Sequence, residues 1–140
     1  MVRKTREGFP REYRIVRGAE YRAAYEGGLK LYQPHFILFA RANSLTHHRL
    51  GITVTRKVGG AVVRNRIKRL FREIYRRVAS EIPGSFDLVV NARRGAEAAG
   101  FSGLREQFLA AAGEAFRRRP LGAPAGIEQP ASAKEGGAAP

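Results

Sequence analysis

A chain of 140 residues with 26 Lys and Arg against 12 Asp and Glu carries a formal net charge of +14, which in so small a body favours a polyanionic partner, nucleic acid before an anionic membrane surface. The length suits one domain with a modest core, and the lack of cysteine excludes disulfide frameworks, thiolate zinc sites and cysteine nucleophiles. Asp87 is the one aspartate and the eleven glutamates are scattered from Glu7 to Glu135, whereas a metal-dependent nuclease gathers several carboxylates around its ions.

The first 17 residues hold six basic side chains and two glutamates, with Gly8 and Pro10 against an early helix, and read as a mostly extended basic arm. They lack the apolar stretch of a secretory signal, and no apolar run reaches the roughly 18 residues that span a bilayer, so a cytoplasmic protein is expected. Good helix formers from Ala19 to Gly27 end at Gly27-Gly28 and place Tyr21 and Tyr25 on one face.

His35 to Arg41 is β-branched and aromatic, and Arg49 to Arg56 alternates Leu50, Ile52 and Val54 with Gly51, Thr53 and Thr55. The two read as strands of an antiparallel hairpin around an exposed loop, ANSLTHH. Adjacent His47 and His48 without a third ligand are expected in solvent there. Neither Ser85, Thr53 nor Thr55 has a base at a recognisable spacing, so nothing favours nucleophilic catalysis.

The segment VGGAVVRNRIKRLFREIYRR, Val58 to Arg77, holds seven Lys and Arg against Glu73 alone. On a helical wheel Val63, Ile67, Leu70, Phe71, Ile74, Tyr75 and Val78 form one face, and Arg64, Asn65, Lys68, Arg69, Arg72 and Arg76 the opposite one, about 18 Å long at the usual rise. Solvated faces interleave charges of both signs, but Arg64, Lys68, Arg72 and Arg76 are like charges at successive i,i+4 steps, an arrangement that a polyanion relieves. Gly59 and Gly60 before the helix offer positive φ and close backbone approach beside free N–H groups. A plain tight turn explains the glycines equally well.

A third strand, Ser85 to Ala92, follows the Pro83-Gly84 turn, and a last helix from Ser102 to Arg118 carries Leu104, Phe108, Leu109, Ala112 and Phe116 as its stripe. From Pro120 to Pro140, 14 of 21 residues are Gly, Pro or Ala and none is aromatic, the composition of a disordered tail. Residues 18–119 therefore form one α+β domain, a two-layer sandwich.

The stretch RKVGGAVVRNRIKRLFRE, Arg56 to Glu73, with Arg64-Asn65-Arg66 at its centre, resembles the hallmark of the protein subunit of bacterial ribonuclease P, and the likeness in element order runs from Tyr13 to Arg118. The resemblance implies a mostly antiparallel sheet of about four strands packed on three helices, as in the second domain of a small-subunit ribosomal protein, with a left-handed βαβ crossover around the motif helix. The fourth strand is unplaced, a short edge piece at most. The resemblance implies further that a large partner RNA, using Mg2+, cleaves precursor tRNA while the protein, monomeric outside the holoenzyme, holds that RNA and the 5′ leader. Arg56, Lys57, Arg64, Asn65, Arg66, Lys68, Arg69 and Arg72 would meet the catalytic RNA, and Tyr21, Tyr25 and Phe39 would line the leader cleft, with no catalytic or metal-binding residue in the protein. Gly60 stands where many relatives carry Asn. Two alternatives are a structural RNA protein of the ribosomal kind and a stand-alone nuclease using Glu73.

Overall fold

The computed structural model describes residues 11–118. A 3-10 turn, Arg11–Tyr13, leads to helix α1 (Gly18–Gly27), strands β1 (Leu29–Gln33), β2 (Phe36–Ala42) and β3 (Arg49–Thr53), the motif helix α2 (Ala61–Val78) with a second 3-10 turn, Ala79–Glu81, strand β4 (Phe86–Ala92) and helix α3 (Ala96–Arg118). The three helices and four strands form the α+β sandwich expected. The tail from Pro120 and the first half of the basic arm lie outside the described residues.

The sheet order is β1-β2-β4-β3, antiparallel except for the parallel β3–β4 pair. This overturns the expected hairpin of the second and third strands: β2 pairs with β1 on one side and β4 on the other. The hairpin is instead β1 with β2, joined around Pro34. Strand β1, the unplaced edge strand, is only five residues long and follows the two glycines directly, so the helix stop signal masked its start. Strand β3 ends at Thr53, short of the predicted Arg56.

Side chains at i, i+2 alternate between the two faces of each strand. Phe36, Leu38, Leu50, Leu88 and Val90 face α2 and α3, where Ile67, Phe71, Ile74, Leu104 and Phe108 complete the main core. Phe39 and Val89 point the other way, into a small second core with Ile15 and Ala24 beneath α1. Strand β4 is buried on both faces from Phe86 to Val90, as a central strand should be. Helix α3 begins earlier than the apolar stripe suggested and bends at Gly100, whose φ of 72° breaks the helical geometry. Gly84, with φ of 85°, makes the predicted turn before β4.

His48 corrects the expectation of a solvated histidine pair. It is 6 % exposed, its ring stacks on Phe86, its Nδ1 accepts the Phe86 N–H at 2.9 Å, and its Nε2–H donates to the Ile82 carbonyl at 2.9 Å. The Tyr75 hydroxyl donates to the His48 carbonyl at 3.0 Å. Loop 43–48 is thus stapled to the segment leaving α2. Burial lowers the His48 pKa against the opposing effect of its two backbone bonds, and protonation would turn the Phe86 acceptor into a second donor.

Because the folded pKa lies below the unfolded one, this stabilisation is complete above the unfolded pKa and fades as pH falls through the folded value. Thermal melts from pH 7.5 to pH 5 should therefore show a falling midpoint, and His48→Gln should flatten that fall while lowering the neutral-pH midpoint. Parallel profiles for the two proteins would mean that His48 does not couple to folding.

Candidate nucleic-acid interface

Helix α2 is amphipathic as the wheel requires. Ile67, Phe71, Ile74, Tyr75 and Val78 are buried, while Asn65, Arg66, Arg69 and Arg72 are exposed and Lys68 is half-exposed. Its basic face divides in two. Glu73 neutralises the C-terminal end, with its Oε2 3.7 Å from Arg77 and in close contact with Arg76. Arg66, Lys68, Arg69 and Arg72 have no acidic partner among the described residues. The Arg64 guanidinium turns back to donate to the Gly59 carbonyl at 2.9 Å.

The entry to α2 departs from one expectation. Neither Gly59 nor Gly60 has positive φ; Gly60 is extended at φ −74°, ψ 178° and caps the helix without a side-chain bond. Gly59 serves close packing, since a Cβ there would stand 3.0 Å from Val63. The preceding Arg56 and Lys57 are exposed, and Arg94 clasps the Lys57 carbonyl through Nε at 3.1 Å and Nη2 at 2.8 Å.

The sheet face under α1 is organised in three rows fixed by strand register. One row, Arg41, Asp87 and Arg49, holds an ionic cluster. Asp87, 3 % exposed, accepts from Arg49 Nε at 2.9 Å, Arg49 Nη2 at 2.7 Å and Asn43 Nδ2 at 2.8 Å. Arg49 Nη1 reaches Glu20 of α1 at 3.1 Å, so one guanidinium ties the helix to the sheet. Hydrogen bonding to Asp87 raises the Arg49 pKa further; burial alone would raise Glu20, but the Arg49 bond and charge hold it below its usual value.

The middle row is Lys30, Phe39, Val89 and Gly51, and α1 lies over it. Tyr25 meets Phe39 edge to face at 4.8 Å, leaving Phe39 7 % exposed. Tyr21 rests on Gly51, where a Cβ would come within 2.8 Å of the phenol oxygen; burial raises its pKa. The last row is Tyr32, Ile37, Asn91 and Thr53, open beyond the end of α1. Tyr32 is 63 % exposed, and the Tyr25 hydroxyl joins Thr53 Oγ1 at 3.0 Å and Asn91 Oδ1 at 3.1 Å. Phe39, Tyr21 and Tyr25 thus form one packed aromatic cluster between α1 and the sheet, and Tyr32 is an open platform in the next row.

A family model described as Ribonuclease P matches residues 9–115. The protein named ribonuclease P protein component in Citrifermentans bemidjiense is 38% identical over 109 residues, covering 78% of this chain and 93% of that one. The chain belongs to the ribonuclease P protein family. Its counterpart in Desulfovibrio desulfuricans is 46% identical over 87 residues, 61% of this chain and 67% of the relative. Among solved structures, the RNase P protein from Thermotoga maritima has a TM-score of 0.66 at 33% identity, covering 72% of this chain and 96% of that one. A Staphylococcus aureus RNase P protein gives 0.63 at 31% identity, with coverages of 71% and 91%.

The residues expected on the motif helix lie along one exposed face, apart from Arg64, and the three aromatics expected to line a cleft lie together. The groups that sequence reasoning missed are Tyr32, Asn91 and the Asp87 cluster. Alternation in LKLYQ would have pointed to Tyr32. Asp87 carried a signal too, as a charge inside an apolar run.

The ribonuclease P protein should depend unequally on the two carboxylates that Arg49 joins. Asp87→Ala leaves the half-buried Arg49 guanidinium with Glu20 alone and takes away the acceptor of Asn43, and should cost about 3 kcal/mol in urea unfolding. Glu20→Gln, at the partly exposed end, should cost about 1 kcal/mol or less. Equal losses would show that the cluster is not centred on Asp87.

Proposed function

We propose that this protein binds the catalytic RNA of ribonuclease P along α2 and its entry, and holds the 5′ leader of precursor tRNA in the cleft beneath α1, promoting 5′ maturation of tRNA. The observation that carries the reading is the one-signed run Arg66, Lys68, Arg69 and Arg72, without acidic partners among the described residues, together with the groove that Lys68 and Arg72 share with Tyr21. Phosphates relieve such like-charge crowding, and unstacked bases lie on aromatic faces without strict sequence preference. Arg56, Lys57 and Asn65 extend the RNA contact at the N-terminal end of the helix.

Hydrolysis is assigned to the RNA partner, with Mg2+ held by RNA. Among the described residues no three His, Asp or Glu side chains converge, and Asp87 is committed to Arg49. The protein's part is charge screening and grip on the substrate, as a monomer outside the holoenzyme and in the cytoplasm where precursor tRNA is processed. No helix of the described residues is long and apolar enough to cross a membrane.

Reconstitution tests this directly. Purified protein alone should leave precursor tRNA intact, and adding its cognate RNA should restore 5′ cleavage at low Mg2+; robust cutting by protein alone would overturn the assignment. Binding that favours ribosomal RNA and ignores leader length would identify a structural RNA protein instead.

The division of the α2 stripe predicts a second outcome. The logarithm of affinity for the RNA partner should fall against that of salt with a slope of about −3 to −5. Arg69→Ala should reduce the slope by about one, and Arg76→Ala, whose charge Glu73 already balances, by distinctly less. Equal reductions would show that the Glu73 pairing gives way to phosphate.

A further inference from the structure

The basic arm ahead of α1 is not simply a solvated charge run. Ile15 is 4 % exposed and belongs to the small core with Phe39 and Val89, and its N–H donates to the Leu50 carbonyl at 2.9 Å. Arg14 bridges Leu50 in parallel, adding a last rung to the outer edge of β3. The Tyr13 ring packs edge-on against His47 at 4.7 Å. Residues 13–15 are thus fixed to the sheet, and Arg11, Arg14 and Arg17 project at three-residue intervals from an anchored backbone, all exposed.

These side chains border two open grooves that meet at Arg14. One, of about 430 Å³, runs from Tyr21 and Gly51 over the β3 edge to Lys68 and Arg72. The other, of about 450 Å³, continues from Arg14 past Arg11 and Arg17 to Arg49. The carboxylates on this path are Glu12 and Glu20, and Glu20 is already engaged by Arg49. Arg49 is already paired with Asp87 and Glu20, so Arg11, Arg14 and Arg17 line this path against Glu12, and Lys68 and Arg72 border its other end. An aromatic wall followed by a cationic groove over a strand edge is the pattern that follows a single strand, with bases stacked and phosphates neutralised in turn.

We infer that the anchored segment from Arg11 to Arg17 is a second contact for single-stranded RNA, and that the strand it takes is the continuation of the 5′ leader beyond the aromatic cleft. Tyr21 borders the first groove, so a strand leaving that wall over the β3 edge meets Arg14 and then the other two arginines. The motif helix receives the folded partner RNA on its exposed face, Lys68 and Arg72 included, while Arg11, Arg14 and Arg17 lie around the edge of the sheet. The inference deepens the proposed function and rests on its placement of the leader.

The test uses the reconstituted holoenzyme and precursor tRNAs with a graded series of 5′ leaders, from one nucleotide upward. The double variant Arg11→Ala/Arg17→Ala should bind short-leader precursors as the parent does and lose affinity for long-leader ones on the order of tenfold at low salt. Arg11→Lys/Arg17→Lys should restore most of the loss. An unchanged thermal midpoint for the alanine variant excludes unfolding as the cause, and both side chains are exposed, so none is expected. A length series identical for variant and parent overturns the inference. So does a loss that falls on binding of the partner RNA and is equal for every leader, because the segment would then serve that RNA. If the parent itself shows no dependence on leader length while its RNA-dependent cleavage is intact, the placement of the leader in the cleft is what fails.

Discussion

Asp87 is a buried carboxylate near the start of a strand whose neighbours are buried on both faces, and the fold is arranged around the need to pair it. An unpaired charge at that depth costs several kcal/mol, and pairing offsets the cost only when the remaining lone pairs are also filled. Arg49 supplies two bonds from the adjacent parallel strand and Asn43 a third from the loop leaving β2. The rest follows from geometry. Arg49 has one more nitrogen to place, Glu20 receives it, and α1 is drawn across the open face with Tyr21 over Gly51 and Tyr25 over Phe39. The aromatic cluster between α1 and the sheet follows from how one buried charge is satisfied.

Magnitudes explain why α2 tolerates its basic face. Like charges four residues apart cost roughly 0.2–0.5 kcal/mol per pair, and the stripe has three such steps. Full burial of an aliphatic or aromatic side chain contributes about 1.5–3 kcal/mol, and five side chains of α2 are buried. The apolar face therefore outweighs the repulsion several times over, and the helix can keep an unpaired cationic run as a standing attraction for phosphate. Glu73 trims the run at its C-terminal end, where the helix dipole already accommodates Arg76 and Arg77.

The parts of this architecture that were legible in the sequence are those with a strong local period. The 3.6-residue pattern of α2 separates buried from exposed side chains with few exceptions, and α1, β2 and β4 are read within two residues of their bounds. Pairing was not legible, because it depends on partners far along the chain. Residues 35–41 and 49–56 look like a hairpin by proximity alone, yet β4 enters between them and takes both as neighbours. His48 failed for a related reason. A polar residue in a loop reads as solvated unless the carbonyl of Ile82 and the amide of Phe86, each more than 30 positions away, are known to be waiting for it. Of the aromatic side chains on the α1 face of the sheet, Tyr21, Tyr25 and Phe39 were named through the family resemblance, while Tyr32 was hidden by a five-residue strand placed directly against a double glycine.

The outer edge of β3 joins these features. Exposed strand edges invite pairing with other chains, and charged groups alongside them are a common defence. Here Arg14 and Ile15 occupy the first part of the edge, and Lys68 and Arg72 stand over the next. The same cations that deter a foreign strand make the edge attractive to a phosphodiester chain, which needs no backbone hydrogen-bond ladder to bind. Because β3 carries Arg49 and Gly51 on one face and packs against α2 on the other, a groove over this edge also joins Tyr21 to the motif helix. Protection of the sheet and continuity of the basic surface are thus met by one set of side chains.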